Sequence, residues 1–336
     1  MQAPSAPPGP APYGTKPRPF AFSADIKAAL TARPELRVLV TGGRGWIGRA
    51  CLELLDETLA EQTAGRVSVY GSTAGELTLS SGRTLPVLPL DAMATAPVAP
   101  TLVAHFAYLT KEKASALSPE AFVATNRAIS LQVEQTLERL RPEGFLMPSS
   151  GAATQPSTGA SSDSYGTMKR DDEAHYTALC AALDVPFTCP RLFNLAGPFI
   201  NKVTSYVLAC VILDMQAGRP IRLNARKKVY RSYIHVRDLL DICFGDMLLF
   251  PHLQPPVFET AGERVVEVGA LASLVAQILG EAAHPIERPA LDPSQPDDRY
   301  VGDATLWHAR LARRALEPAP LEQQILDTAI FLAHGA

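Results

Sequence analysis

The sequence predicts an α/β fold: a doubly wound parallel sheet with a smaller C-terminal lobe. Three observations carry that expectation. Strand-like and helix-like segments alternate through the first two-thirds of the chain, the pattern of a sheet crossed over by helices. A β-branched run, Arg37-Val38-Leu39-Val40-Thr41, gives way to Gly42, Gly45 and Gly48 at a spacing of three, and Arg49 to Leu59 then reads as helix. Beyond about residue 196, an apolar helical stretch from Val203 to Met215 is followed by turn-rich, proline-rich segments. The length of 336 residues suits two domains, or one α/β unit with a smaller lobe, and is ample for a sizeable core.

Met1 to Phe20 is rich in Pro, Ala and Gly and lacks an apolar run. It is expected to be a disordered or loosely draped tail rather than a signal peptide. Phe22 to Thr31 reads as a short helix leading into the first strand. In the glycine turn, Gly42 permits a tight turn, Gly45 a close backbone approach and Gly48 close helix–strand packing. The helix start at Trp46 and Ile47 offers free N–H groups and a positive dipole end to a pyrophosphate. Arg66 to Tyr70 forms a second strand ending at Gly71-Ser72-Thr73. A dinucleotide site for NAD usually carries an acid there, to hold the ribose 2′-hydroxyl. The acid is absent, and Arg44 inside the glycine turn is a nearby positive charge. A carboxylate repels a 2′-phosphate and a guanidinium holds one, so NADP is favoured, with NAD as the alternative.

Leu77 to Leu79 and Thr84 to Leu90 read as a hairpin-like stretch and a further strand ending at Asp91, which either touches the adenine edge or caps a turn. Leu102 to Leu109 reads as a buried strand. Pro119 to Leu140 is a long amphipathic helix, with Phe122, Val123, Ile129, Val133, Leu137 and Leu140 at helical spacing. Pro142-Glu143-Gly144 ends it, and Phe145 to Ser150 is a strand that stops on two serines. Fifteen residues beyond Ser150, Tyr165-Gly166-Thr167-Met168-Lys169 opens a helix to about Leu183. Tyr165 and Lys169 are four residues apart and share a helical face. An ammonium beside a phenol favours the phenolate, so this tyrosine is suited to exchange a proton with a carbinol or carbonyl while a serine hydroxyl holds the same oxygen.

Composition removes other classes. The formal net charge is −3 and the pI about 6.2, with no long basic run and a short cluster at Arg226-Lys227-Lys228 that reads as a solvated turn, so no nucleic-acid partner is expected. No stretch approaches the roughly 18 uninterrupted apolar residues of a membrane span. Cys51, Cys180, Cys189, Cys210 and Cys243 are scattered and odd in number. They read as buried thiols of a reducing, cytoplasmic setting, with no metal site.

The ordered set Thr41-Gly42-Gly43-Arg44-Gly45-Trp46-Ile47-Gly48, Ser149-Ser150, and Tyr165 with Lys169 resembles the extended short-chain dehydrogenase/reductase family, in its nucleotide-sugar branch. His105-Phe106-Ala107, Asn126, Arg191 to Pro198, Arg231 to Asp238 and Asp298 to Asp303 extend the resemblance over about residues 36 to 333. The resemblance implies a dinucleotide-binding domain over 21–195 plus 233–262, and a substrate-binding lobe over 196–232 plus 263–336. It implies Ser150, Tyr165 and Lys169 as catalytic residues, with Lys169 also on the nicotinamide ribose. Ala107 would face the cofactor. Ser149, Asn194, Arg231 and Arg299 would face the nucleotide-sugar substrate, the last three at its diphosphate. A homodimer through the Pro119–Leu140 and Tyr165–Leu183 helices is also implied. Ser150 is followed by Gly151-Ala152 rather than an Asp-Glu pair, which argues against a sugar dehydratase, and the glutamate that sugar decarboxylases of the family need is missing too.

Hydride transfer with a Ser-Tyr-Lys set remains. The expected function is reduction of a keto-sugar nucleotide by NADPH. The alternatives are a nucleotide-sugar epimerase with tightly held NAD, and a non-catalytic dinucleotide-binding sensor or scaffold.

Overall fold

The computed structural model describes residues 19–110, 117–155 and 164–334. All but the last two residues of the expected N-terminal tail lie outside the described residues, and Phe20 packs edge-on against Phe199. The strands are β1 (Arg37–Thr41), β2 (Val67–Gly71), β3 (Gly75–Thr78), β4 (Thr84–Pro89), β5 (Thr101–His105), β6 (Gly144–Leu146), β7 (Ser149–Ser150) and β8 (Phe187–Leu192). Further along come β9 (Leu195–Ala196), β10 (Ile221–Arg222), β11 (Val229–Arg231), β12 (Ile234–His235) and β13 (Val257–Glu259). The last are β14 (Val266–Glu267), β15 (Ile286–Glu287) and β16 (Asp298–Tyr300).

The main sheet runs β13-β8-β6-β5-β1-β2-β4-β3, with β7 beside β8. All its pairings are parallel except that of β3 with β4. Chain order therefore reverses between β1 and β5, and in an open α/β sheet the ligand crevice lies at the carboxyl ends of such a pair. The strand period of two divides the core into two layers. Val38 and Val40 join one apolar cluster with Leu54 of the helix Trp46–Leu59 and Leu240 of the helix Val236–Leu248. Leu39 points the other way, to Val133 and Tyr176 of the helices Pro119–Leu140 and Ser164–Leu183. The first cluster runs on without a break to Leu208, Ile212, Leu271 and Trp307 in the C-terminal part. There the small sheets β10-β15, β14-β11-β16 and β12-β9 form.

The long helix has the limits read from its sequence. Ser118 accepts the Ala121 N–H, Pro119 starts the first turn, and Arg141 ends it at φ +45°. Other boundaries differ for local reasons. The expected strand Leu102–Leu109 stops at His105: the Phe106 N–H still reaches the Thr41 carbonyl at 3.2 Å, but from there on side chains share and then replace the ladder hydrogen bonds. Thr41 Oγ1 accepts the N–H groups of Phe106 and Ala107 at 3.1 and 3.0 Å, and Asn126 binds both the N–H and the carbonyl of Leu109. The expected strand Phe145–Ser150 breaks at Met147-Pro148 into β6 and β7, since proline has no N–H to give the ladder. Arg66 closes a short helix, Thr63–Arg66, and its guanidinium binds the carbonyls of Leu30, Arg33 and Leu36. The Val203–Met215 helix begins only at Val207, and the glycine-turn helix begins at Trp46 rather than Arg49. Of the five cysteines, all without disulfides, Cys210 is only partly buried. Among the described residues no helix is long and apolar enough to cross a membrane.

Candidate active site

The glycine turn closes the carboxyl end of β1 against that of β5. Gly42 has φ +71°, and a Cβ there would lie 2.7 Å from the Ala107 nitrogen and the Phe106 carbonyl carbon. Only glycine fits both the angle and the approach. A Cβ on Gly48 would lie 2.3 Å from the Gly42 oxygen, so the helix packs directly on the turn. The helix start is capped by no side chain, its cap being Gly45, which leaves a bare positive dipole end at the crevice. A dinucleotide pyrophosphate fits this cradle. Trp46 itself is buried: its indole donates to the Pro198 carbonyl at 2.7 Å and meets Tyr206 edge-on. Of Trp46, therefore, only backbone is suited to face a phosphate, while Ile47 is partly buried beside it.

At the end of β2, Arg44 Nη1 donates to the Thr73 carbonyl and hydroxyl at 3.1 and 3.3 Å. Gly71, Ser72 and Thr73 thus form one edge of the crevice with a guanidinium fixed to it. Asp91 lies exposed in the 3-10 turn Leu90–Thr95 that follows β4.

The proton-handling groups gather across the crevice. Ser149 and Ser150 make up β7, one buried and one partly exposed. Ser150 Oγ accepts the Ala152 N–H at 3.2 Å and lies 3.4 Å from the Tyr300 hydroxyl. Ser149 Oγ is buried without a hydrogen-bond partner. The helix Ser164–Leu183 places Tyr165 one turn before Lys169, and a Cβ on Gly166 would meet the Ala152 carbonyl oxygen at 2.5 Å, so this helix rests on the turn after Ser150. Lys169 is 4 % exposed. Its Nζ donates to the Pro148 carbonyl at 3.2 Å and lies 3.5 Å from the centre of the Tyr108 ring. Burial pulls the Lys169 ammonium below the ordinary lysine range, and the Asp172 carboxylate opposes that pull. Tyr108 meets the Tyr165 ring edge-on at 6.0 Å. His105, hydrogen-bonded through Nδ1 to Thr41 Oγ1 at 2.8 Å, is pushed down to about 3 by burial and stays neutral.

The expected substrate residues divide. Asn194 donates through Nδ2 to the carbonyls of Ser232 and Tyr300, both at 3.1 Å, and so fixes the β16 backbone next to Ser150. Strands β11 and β16 pair with Arg231 opposite Tyr300 and Tyr230 opposite Arg299. Arg231 is bound to Asp298 at 3.0 Å on the same face as Tyr300. Arg299 points to the other face, exposed and stacked over Tyr230 at 4.7 Å. The structure does not bring it to Ser150.

A model of the NAD dependent epimerase/dehydratase family matches residues 38–245, more than half of the chain. The chain belongs to that family. It is thus an NAD-dependent enzyme of the extended short-chain dehydrogenase/reductase type. No curated protein matches the sequence. Among solved structures it is similar to UDP-glucose 4-epimerase from Thermotoga maritima, at 19% identity and TM-score 0.64, over 89% of this chain and 99% of that one. It is also similar to UDP-N-acetylglucosamine 4-epimerase from Methanobrevibacter ruminantium, at 16% and 0.67 over the same shares. UDP-glucuronic acid 4-epimerase from Bacillus cereus, solved with UDP-glucuronic acid and NAD, matches at 15% and 0.66, again over 89% and 99%. Identities this low establish the shared fold.

For this epimerase/dehydratase family member, sequence reasoning missed Tyr108, Asp172 and Tyr300. Tyr108 falls within the apolar stretch Leu102–Leu109, and Tyr300 stands beside Arg299 in the stretch Asp298 to Asp303. No spacing in the sequence marks either. Their contacts join segments 61 and 150 residues apart, Tyr108 with Lys169 and Ser150 with Tyr300.

Proposed function

We propose that the chain is a nucleotide-sugar epimerase that holds NAD through its cycle. What supports this reading is that the helix start carrying Tyr165 and Lys169 rests on the turn after Ser150, with Lys169 on the Pro148 carbonyl, beside the end of β5 that the glycine turn closes on. Gly42, Gly45, Gly48 and the N–H groups of Trp46 and Ile47 would hold the pyrophosphate. Gly71, Ser72, Thr73 and Arg44 would hold the adenosine ribose, with Asp91 towards the adenine. Ala107 and Lys169 would face the nicotinamide half. When bound, NAD supplies a hydride acceptor that can return the hydride to either face of the sugar carbon. Tyr165 takes the proton of the sugar hydroxyl as that carbon becomes a ketone and gives it back on the return. Ser150 donates to the same oxygen throughout, and the Lys169 ammonium favours the phenolate form of Tyr165. Arg231 and Asn194 would receive the substrate diphosphate in a lobe made of 196–232 and 263–336. The pairing of subunits through the helices Pro119–Leu140 and Ser164–Leu183 is part of the same proposal.

A second reading, reduction of a keto-sugar nucleotide by NADPH, rests on one observation: Arg44 is anchored at Thr73, where NAD enzymes usually carry an acid. Denaturing the purified protein and identifying the released nucleotide separates the two. Near-stoichiometric NAD or NADH is expected for the epimerase. A nucleotide-free protein that oxidises NADPH with a keto-sugar nucleotide would replace that reading with the second.

A further inference from the structure

Lys169 is an ammonium in a nearly closed site, and a buried charge needs a counter-charge. Besides Tyr165, the described titratable groups that act on it are His105, Tyr108, Asp172, Glu173 and Cys189. His105 is neutral, and burial keeps the Cys189 thiol protonated. Glu173 is already committed, gripped by Arg191 through two hydrogen bonds at 3.0 and 2.7 Å. Tyr108 offers only the face of its ring, and burial keeps its phenol protonated.

Asp172 is different. It follows Lys169 by three residues on the helix Ser164–Leu183 and so shares its face. One of its oxygens is 3.4 Å from the Ser130 hydroxyl, and its carboxylate also meets the Tyr108 hydroxyl. Tyr108 itself lies between the two catalytic side chains of the proposed site, its face on Lys169 and its ring edge-on to Tyr165.

We propose that Tyr108 and Asp172 are positioning residues for Lys169, the Tyr108 ring clamping the ammonium against the Pro148 carbonyl and the Asp172 carboxylate serving as its counter-charge. The role they serve rests on the proposed function, but the arrangement does not. An ammonium held between a carbonyl and an aromatic face has one available direction. The carboxylate one turn on favours its charged form against the burial that disfavours it. Neither residue touches the reacting atoms.

The chain has eight lysines, so [13Cε]-lysine labelling gives few signals in NMR, and loss of one in Lys169→Arg identifies Lys169. In the intact protein the Lys169 signal is expected to be displaced upfield by the Tyr108 ring current. Tyr108→Phe should keep that displacement and Tyr108→Leu abolish it. In Asp172→Asn the Lys169 titration midpoint should fall by about 1 to 3 units, and Asp172→Glu should restore most of it. Asp172→Ser carries the same prediction should the asparagine variant not fold. A Lys169 signal without ring-current displacement, or a midpoint unmoved when the carboxylate is removed from a folded variant, overturns the proposal. The titration needs neither substrate nor turnover. A shifted midpoint with a fully active Tyr165→Phe variant would therefore leave this proposal standing and defeat the proposed reaction.

Discussion

The Ser150 and Tyr300 hydroxyls lie 3.4 Å apart, although 150 residues separate them in the chain. The contact depends on the glycine after the serine: a Cβ at Gly151 would lie 2.8 Å from the Tyr300 hydroxyl and 2.6 Å from the Phe193 ring. Tyr300 is in turn packed on Phe193, with ring centres 4.9 Å apart. Under the proposed mechanism, Tyr300→Phe should lower kcat by about five- to tenfold, the worth of one hydrogen bond to a group that holds the reacting oxygen. Turnover measured with a nucleotide-sugar that the wild-type protein converts checks this. An unchanged kcat would place the Tyr300 hydroxyl outside the reaction.

Tyr165→Phe removes the group that exchanges the proton. Turnover should fall by about 10²- to 10⁴-fold, with cofactor binding kept within about twofold. Steady-state kinetics together with a cofactor titration separate the two effects. Equal losses in both would assign Tyr165 to binding.

Gly48→Ala tests the packing of the turn. Its new Cβ would meet the Gly42 oxygen at 2.3 Å, backbone against backbone, so neither side can yield by rotating. The expected cost is about 1–3 kcal/mol in urea unfolding, with a larger loss in cofactor affinity than in the fold.

Arg44→Ser should weaken NADPH binding by about tenfold and leave NADH within about twofold. The Arg44 guanidinium, held to Thr73, is the charge that a 2′-phosphate would meet. Equal losses for both cofactors would show that Arg44 acts only by holding the loop.

Away from the crevice, Arg310 and Asp246 form a buried pair at 2.9 Å, with Thr188 also on the carboxylate. Burial holds the Asp246 carboxyl above its ordinary range even with the arginine present. Arg310→Met should cost about 3–5 kcal/mol at neutral pH, because it leaves the charge unpaired. An acid whose pKa is raised in the folded state favours folding when protonated, so the cost should shrink as pH falls below that raised pKa and grow as pH rises. Thermal unfolding of both proteins from pH 5 to pH 8 checks the sign.

Much of the site was legible because its signals are local. Gly42, Gly45 and Gly48 answer to a turn, an approach and a packing contact within seven residues. Tyr165 and Lys169 answer to one helical turn. The cofactor preference read from Gly71-Ser72-Thr73 was an inference from a missing side chain. The family match names NAD, and NADP rests on Arg44 alone. Arg231 and Arg299, both expected at the diphosphate, face opposite sides of their paired strands, because neighbouring residues in a strand point opposite ways. The register of β11 with β16 puts Tyr300, and not Arg299, on the side of Ser150.

By itself the sequence determined the alternation of strands and helices, the glycine turn, the helix Pro119–Leu140 and the Tyr-Lys pair. Each of these is set by contacts within one or two turns of chain. Only the tertiary structure decided where the fifth strand stops, since the Thr41 and Asn126 side chains that replace its ladder come from elsewhere in the chain. It alone decided that Tyr300 meets Ser150, and that the Tyr108 ring covers Lys169. Those contacts form when the sheet brings the ends of β5, β7 and β16 together, and no periodicity in the chain records which residues arrive there.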